Sequence, residues 1–133
     1  MKAPIILLLS TLLLAGCKVK SPNDQAINML NEFYTAYIVL CETSHSDDAR
    51  QGLLEKYCTA NCLRQLEAAE LDYDPIINAQ DCNAAWLDSL AVDKDPAGAN
   101  VFVVSYASPY GGKTSIRLAL TEETNGLKIN SIL

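Results

Sequence analysis

Basic residues are scarce in this sequence. Its 133 residues contain 10 Lys and Arg against 16 Asp and Glu, a formal charge of −6 at pH 7. Nucleic acids and anionic lipid surfaces are bound through basic faces that neutralise phosphate. The deficit therefore argues against a nucleic-acid partner and against electrostatic docking on a membrane. The length predicts one domain and is too short for a TIM barrel or a full dinucleotide-binding fold.

Histidine is almost absent from the sequence, which contains only His45. Zinc sites need Cys and His ligands at short spacings, and no Cys-x-x-Cys pair occurs. We therefore predict no metal and no cofactor. Residues 44–47 (Ser-His-Ser-Asp) have the composition of a catalytic triad, but consecutive side chains diverge in space. We interpret this segment as a solvated turn.

No apolar run is long enough to span a bilayer. The run Ile5–Ala15 has about 11 residues, or ~16 Å as a helix. It follows Lys2 and leads into Ala15-Gly16-Cys17, the pattern of a bacterial lipoprotein signal. Small residues let a peptidase reach the backbone, and the Cys17 thiol takes a diacylglycerol before becoming the acylated N-terminus. Burying the acyl methylenes at ~0.8 kcal/mol each would anchor the protein without a transmembrane helix.

This signal sets the expected domain boundaries and compartment. Residues 1–16 are the predicted signal peptide, 17–25 a lipidated polar tether, and 26–133 one folded domain. Lys18 stands where an Asp tends to retain lipoproteins in the inner membrane, which favours the outer membrane, facing the periplasm. The alternative is an ordinary secretory signal with a chance cysteine.

Four cysteines remain beyond Cys17, and an even number in an oxidising compartment predicts two disulfides. The candidates are Cys41, Cys58, Cys62 and Cys82. A bond between Cys58 and Cys62 is the least favoured, because both lie on or beside one helix, where disulfide geometry is difficult. The other two pairings stay open. Each bridge would contribute ~2–4 kcal/mol by restricting the unfolded chain.

The first half of the predicted domain has helical spacing. Apolar and aromatic residues recur at helical intervals from Ile27 to Cys41, and Asp24 or Ser21 could cap that helix. Two shorter helices are predicted over 48–57 and 59–70.

The second half has the patterns of strands. Residues 114–121 alternate, with Ile116, Leu118 and Leu120 on one face, and Asn125-Gly126 is a hairpin dipeptide. The predicted strands are 87–92, 100–107, 114–121 and 127–133. Helices followed by hairpin-linked strands predict an α+β fold, with N-terminal helices packed on a curved antiparallel sheet.

The segment 71–81 (LDYDPIINAQD) is the most distinctive. Asp74-Pro75 matches a cap followed by proline at the first helical position, which predicts a short turn of helix. Its carboxylates also suggest an acid–base pair or a calcium site, although the glycine and distal glutamate of an EF-hand are missing. The favoured interpretation is structural, with Asp74 as a cap and Gln80 and Asp81 bonded to the adjacent loop.

The order of these motifs resembles a known group. The residues that carry the resemblance are Phe33–Ile38, Leu53, Tyr57, Leu63, Asp72–Asp81 and Gly126–Ile129. They resemble a family of small bacterial envelope proteins of unknown function, many of them lipoproteins, with a nuclear transport factor 2-like (cystatin-like) fold. The resemblance covers most of residues 27–133 and implies a helix-lined cone closed by a bent sheet. The family has no established reaction, so it implies no catalytic residue.

We therefore expect a non-enzymatic binding or accessory module for an envelope process. Its partner would be an envelope protein or a small ligand in the cone, and tyrosine and tryptophan suit such a mixed pocket. The residues predicted to make contact are Tyr37, Asp74, Gln80, Asp81 and Trp86.

Two other functions stay open. Between Glu67 and Asp95 there are eight acidic residues and one lysine, which could cover the basic cleft of a toxin or hydrolase. The alternative is therefore an immunity or inhibitor lipoprotein. A third hypothesis is an enzyme that uses Asp74 or Asp81.

Overall fold

The computed structural model describes residues 16, 18–44 and 46–133, so most of the predicted signal, Cys17 and His45 lie outside the described residues. Helices come first and a sheet follows. The elements are α1 (Pro22–Thr43), α2 (Asp47–Tyr57), α3 (Ala60–Ala68), a 3-10 turn (Ala84–Asp88), β1 (Ala91–Lys94), β2 (Val101–Ala107), β3 (Lys113–Glu123) and β4 (Gly126–Ile132). Over these ranges, no helix combines the length and apolar character needed to cross a membrane.

Hydroxyl side chains begin all three helices. Of the two predicted caps for α1, Ser21 is the one used, and its Oγ accepts from the backbone N–H of Asp24 at 3.1 Å. Ser46 and Thr59 cap α2 and α3 in the same way. Such caps satisfy N–H groups that have no partner inside the helix. Because α1 begins at Pro22, the last four residues of the predicted tether are helical.

The strands form one antiparallel sheet in the order β1-β2-β3-β4, which confirms the α+β class. The turn between β2 and β3 contains Gly111 and Gly112 at φ 102° and 89°, a region that side chains with a Cβ rarely adopt. Ile116, Leu118 and Leu120 are buried together on one face of β3, as their alternation predicted.

Two predicted elements differ in the structure. The strand expected over 87–92 overlaps β1 only at Ala91 and Val92, because the chain before it forms the 3-10 turn, which Asn83 caps by accepting from the N–H of Ala85. The helical turn expected after Asp74 is also absent. There the chain forms a closed loop, because the backbones of Asp74 and Ala79 exchange two hydrogen bonds of 2.9 and 3.3 Å.

The core lies between α1 and the sheet. Burial of this apolar area is the main favourable term in folding. Its largest fully buried side chains are Leu30, Phe33, Tyr34, Tyr37, Ile38, Ile76, Ile77, Val104, Tyr106, Leu118 and Ile129.

Helix α3 covers one edge of the sheet. The Gln65 side chain donates to the carbonyl of Ile132 at 2.8 Å and accepts from its N–H at 2.9 Å. Asn61 donates to the carbonyl of Asn130 at 3.0 Å, and the backbone N–H of Thr59 bonds the same strand. The outer backbone groups of β4 are thereby paired rather than left open.

One disulfide joins Cys41, near the end of α1, to Cys82, with Cα atoms 6.0 Å apart. Cys58 and Cys62 are buried and not bonded to each other. Both pairings that the sequence left open would join Cys41 to one of these two, so both are wrong. Two disulfides were expected, and the described residues contain one, Cys41–Cys82. The pairing depends on the distance between α1 and the loop at residue 82, which local sequence patterns do not specify.

Candidate functional site

A cleft of about 250 Å³ opens where α1 ends and α2 begins. Residues from the last turns of α1 and from the first turn of α2 line this cleft, together with Ser44 and Ser46. The lining residues are Tyr37, Leu40, Cys41, Ser44, Ser46, Asp47 and Arg50.

Three side chains beside this cleft bond to one another. The Nε of Arg50 donates to the Tyr37 hydroxyl at 2.6 Å, and its Nη2 donates to Oδ2 of Asp74 at 3.1 Å. The Tyr37 hydroxyl donates in turn to the same carboxylate oxygen. The guanidinium carbon also lies 5.6 Å from the centre of the Tyr37 ring. We call this set the Tyr37–Arg50–Asp74 network.

Burial and neighbouring charges shift the pKa values of Tyr37 and Arg50 in this network. Burial, followed by the charge of Asp74, raises the pKa of Tyr37 well above its usual value. Burial alone would lower the pKa of Arg50, but Tyr37 and Asp74 outweigh it, and the pKa of the guanidinium is raised. Tyr37 therefore stays neutral and Arg50 stays charged at neutral pH. Both side chains therefore act as hydrogen-bond donors toward Asp74.

The core holds Asp74 in place. Its Oδ1 accepts from the backbone N–H of Ile76 at 2.9 Å, inside the closed loop of residues 74–79. The Tyr34 hydroxyl donates to the carbonyl of Ile76 at 2.8 Å, and the Tyr106 hydroxyl donates to that of Ile77. Two buried tyrosines thus attach this loop to the core, so the carboxylate has a defined position.

The structure brings together only two of the five predicted contact residues, Tyr37 and Asp74. Trp86 is 7% exposed and stacks on Tyr106 with ring centres 4.4 Å apart, so it belongs to the core rather than to a ligand surface. Gln80 and Asp81 are exposed and do not line the cleft. Across the described residues, neither side chain makes the hydrogen bond to the adjacent loop that was predicted.

Arg50 is the residue that sequence reasoning missed. It precedes the buried Leu54 by one helical turn, and residues four apart share a face of a helix. That spacing is the signal that could have placed it on the inner side of α2. Its polar neighbours Asp47 and Asp48 instead suggest a solvated face.

The arrangement can bind but offers little for metal coordination. Two of the five N–H donors of a guanidinium are used by Tyr37 and Asp74, and the Arg50 side chain remains 45% exposed. Donors therefore remain for a ligand. In the part of the chain that the structure describes, no group of three or more His, Cys, Asp or Glu side chains could hold a metal ion. The calcium hypothesis for the segment 71–81 gains no support there.

Comparison with protein-family models and with curated proteins found no match. Among solved structures, the chain is similar to the crystal structure of a protein of unknown function from Bacteroides thetaiotaomicron VPI-5482. The TM-score is 0.74, with 25% sequence identity, over 84% of this chain and 90% of that one. This similarity is to the order of helices and antiparallel sheet, and it brings no function with it.

Proposed function

We propose that the chain is a non-enzymatic binding module that a lipid on Cys17 holds at an envelope membrane. The observation that carries the binding proposal is the cleft of about 250 Å³ beside the Tyr37–Arg50–Asp74 network. Its size suits a small ligand or one protruding side chain of a partner protein. Its polar groups are held in place before any ligand arrives, which lowers the entropy cost of binding.

The lining of the cleft indicates the character of the occupant. Leu40 and the Cys41 end of the disulfide provide apolar surface, while Ser44, Ser46 and Arg50 provide polar groups. A ligand with one apolar end and one hydrogen-bond-accepting end fits this mixture. An enzyme would need a reactive group here, and the network holds its tyrosine neutral and its arginine charged.

The position of the anchor supports the same proposal. Cys17 precedes Pro22 by only a few residues, so the start of α1 would lie close to the membrane. Leu40 lies about 18 residues further along α1, or ~27 Å at the rise of a helix. If α1 points away from the membrane, the cleft would lie in the periplasm, where a partner can reach it. Lys18 favours the outer membrane as the site of attachment.

The proposal extends to a nuclear transport factor 2-like cone. Its support is the single long helix against one antiparallel sheet, and the irregular register between Ala119 and Leu120 of β3. Such bulges bend a strand. Aromatic side chains fill the space between α1 and the sheet, and a cleft lies at the end of α1.

The test is cross-linked capture from the native envelope, with native mass spectrometry for small ligands. We expect Arg50→Gln to abolish capture, because it removes the charged donor. Arg64→Gln makes the same change on the exposed side of α3 and should leave capture intact. Equal capture by both variants, at equal thermal stability, would overturn the cleft as the binding site.

Cys17→Ser tests the anchor separately. We expect this variant to leave the membrane fraction and to lack the acyl mass of the wild-type protein. A wild-type protein whose intact mass carries no lipid would overturn the anchored version of the proposal.

The immunity or inhibitor function is the second candidate, and surface charge favours it. Asp74 and Asp95 are paired with arginines. The other six acidic residues between 67 and 95 are exposed: Glu67, Glu70, Asp72, Asp81, Asp88 and Asp93. Exposed charge of one sign speeds association with a partner of opposite charge. A toxin or hydrolase captured at one-to-one stoichiometry, with salt-sensitive association, would support this candidate, and salt-insensitive association would contradict it.

A further inference from the structure

Strand β3 extends beyond its partner β4. The register between the two strands stops at the pair Leu118 and Ile132. Beyond that pair, the backbone N–H of Leu133 donates to the carbonyl of Arg117 at 2.9 Å. Residues 113–116, at the start of β3, pair with β2 on one side and, among the described residues, with no strand on the other. We call these four residues the β3 overhang.

Strand alternation shows which backbone groups of the overhang are open. Successive residues of a strand direct their N–H and C=O groups to opposite sides. The N–H of Leu120 donates to the carbonyl of Asn100, next to β2, at 2.8 Å, so the even-numbered residues of β3 face β2. The backbone groups of Lys113 and Ser115 therefore face away from β2, and both residues are exposed. They present two donors and two acceptors in a row, as an open sheet edge does.

A second cleft, of about 240 Å³, lies beside the overhang and shares no lining residue with the cleft of the candidate site. Tyr73 and Leu133 in its lining are 38% and 59% exposed, so two large apolar side chains are open to solvent there. Apolar surface beside free backbone groups is the combination that an added strand uses. The lining includes Tyr73, Pro75, Asn78, Ser115, Ile116 and Leu133.

Acidic side chains border this cleft at one end. Gln65 bonds the backbone of Ile132, which lines the cleft, and Tyr73 lines it as well. The chain that joins Gln65 to Tyr73 therefore runs close to the Ile132 end. Its three carboxylates are exposed, and none of them forms an ion pair within the described residues: Glu67, Glu70 and Asp72. Their charge favours a positively charged occupant.

We propose that the β3 overhang binds an extended, positively charged segment of a partner protein, which adds as a short strand antiparallel to β3 and in line with β4. Alternate side chains of that segment point into the cleft beside Ile116. The residues between them pair with Ser115 and Lys113 through the backbone. In this direction the N-terminal part of the segment lies at the Leu133 end, close to the three carboxylates.

The occupant is a short segment rather than the edge strand of another copy of this chain. Leu133 already occupies the position opposite Arg117, and the turn at Gly111 and Gly112 precedes β3 on the other side. The four overhang residues span only ~14 Å as a strand. A second copy would also bring a formal charge of −6 toward the three carboxylates, and like charges repel.

The test is an NMR titration of the full mature chain with the synthetic peptide acetyl-Lys-Lys-Ile-Ser-Val-Thr-amide. Its isoleucine and valine would lie opposite Ile116 and Thr114 and point into the cleft. Its serine and threonine would lie opposite Ser115 and Lys113. We expect saturable shifts, with slower hydrogen exchange at the amides of Ser115 and Lys113. The absence of saturable shifts at these two amides would overturn the proposal.

Methylation of the peptide backbone separates strand pairing from general adhesion. A methyl group on the serine nitrogen removes the N–H that donates to the carbonyl of Ser115, and it should weaken binding at least ~10-fold. A methyl group on the valine nitrogen, which points away from β3, should leave the affinity nearly unchanged. Equal affinities of the two methylated peptides would overturn the addition of a strand.

Charge variants of the protein test the class of occupant. Glu70→Gln/Asp72→Asn should weaken binding of the peptide by ~5-fold at low salt, because it removes carboxylates beside the cleft. Glu122→Gln/Glu123→Gln removes the same charge from exposed positions at the other end of β3 and should leave the affinity unchanged. Equal loss in the two variants would overturn the assignment of a positively charged occupant.

Arg50→Gln distinguishes this site from the cleft of the proposed function. This variant should bind the peptide as the wild type does, although it should lose capture at the other cleft. Loss of peptide binding in Arg50→Gln, at equal thermal stability, would overturn the assignment of the peptide to the β3 overhang.

Discussion

The hydroxyl of Tyr37 organises the candidate site. It accepts from Arg50 and donates to Asp74, so one atom joins α1, α2 and the closed loop of residues 74–79. Polar groups that lose a buried partner retain the full cost of their desolvation. The position of Arg50 in the cleft therefore depends on Tyr37, whose own side chain is almost entirely buried.

Tyr37→Phe removes this hydroxyl while keeping the ring. We expect the free energy of unfolding to fall by ~1–3 kcal/mol, because Arg50 and Asp74 each lose a hydrogen-bond partner. Urea denaturation measures the change. Tyr110→Phe is the matched control, since Tyr110 is 93% exposed, and it should leave stability unchanged. Equal stability of the two variants would show that the network contributes nothing to the fold.

The environment of Asp95 predicts how the stability of the fold changes with pH. The backbone N–H of Ala97 and the guanidinium of Arg117 hold the pKa of this carboxyl below its usual value. A depressed pKa in the folded state stabilises the protein above the unfolded pKa, near ~3.9. That stabilisation is lost as the pH falls through the folded pKa.

Asp95→Asn should therefore lower the melting temperature at neutral pH and lose less stability on acidification than the wild type. Asp93→Asn removes an exposed carboxylate two residues away and should leave the acid limb of the curve unchanged. Melting temperatures measured from pH 7 to pH 2 at low salt provide the comparison. Parallel curves for Asp95→Asn and wild type would contradict the assignment.

Among the elements, α3 is bonded to the edge of the sheet twice through one side chain. Gln65 makes two hydrogen bonds to the backbone of Ile132, in the manner of a neighbouring strand. Gln65→Ala should cost ~1–2 kcal/mol of unfolding free energy and accelerate amide exchange at Ile132. Gln51→Ala removes a glutamine that bonds only Glu55 on the exposed side of α2, and should change neither quantity. Unchanged exchange at Ile132 would contradict the role of Gln65.

Periodicity predicted most of the elements because helices and strands bury one face. The spacing from Ile27 to Cys41 predicted α1, and the alternation in 114–121 predicted β3. Periodicity failed where a local cap or a local backbone pair determines the structure. Asn83 draws the chain into a 3-10 turn, and the Asp74–Ala79 backbone pair closes a loop where a helix was expected.

The candidate site was predictable only in part. Tyr37 and Asp74 stood out by residue type and local pattern. Their connection through Arg50 depends on how α2 folds back against α1, which involves contacts between residues 13 and 24 positions apart. Local patterns do not specify distances of that kind. The same reason explains why the Cys41–Cys82 bond was not predicted, since neither of the pairings left open contains it.

For the whole molecule, the Cys41–Cys82 bond closes a loop with a sequence separation of 41 residues. Restricting that loop in the unfolded chain corresponds to ~4 kcal/mol. The double variant Cys41→Ser/Cys82→Ser should lose about that much stability. Its urea m-value should rise, because an unfolded chain without the cross-link exposes more surface. Wild-type protein measured without reductant is the reference, and an unchanged denaturation midpoint would contradict the prediction.

Both edges of the sheet have features that disfavour pairing with further strands. Helix α3 occupies the side of β4, while β1 at the other edge is four residues long and carries the exposed Asp93. Open edges recruit strands from other chains. On a membrane, the proposed anchor would confine many copies to two dimensions with their sheets in similar orientations. Edges that disfavour further pairing would let those copies crowd at high surface density and remain separate molecules.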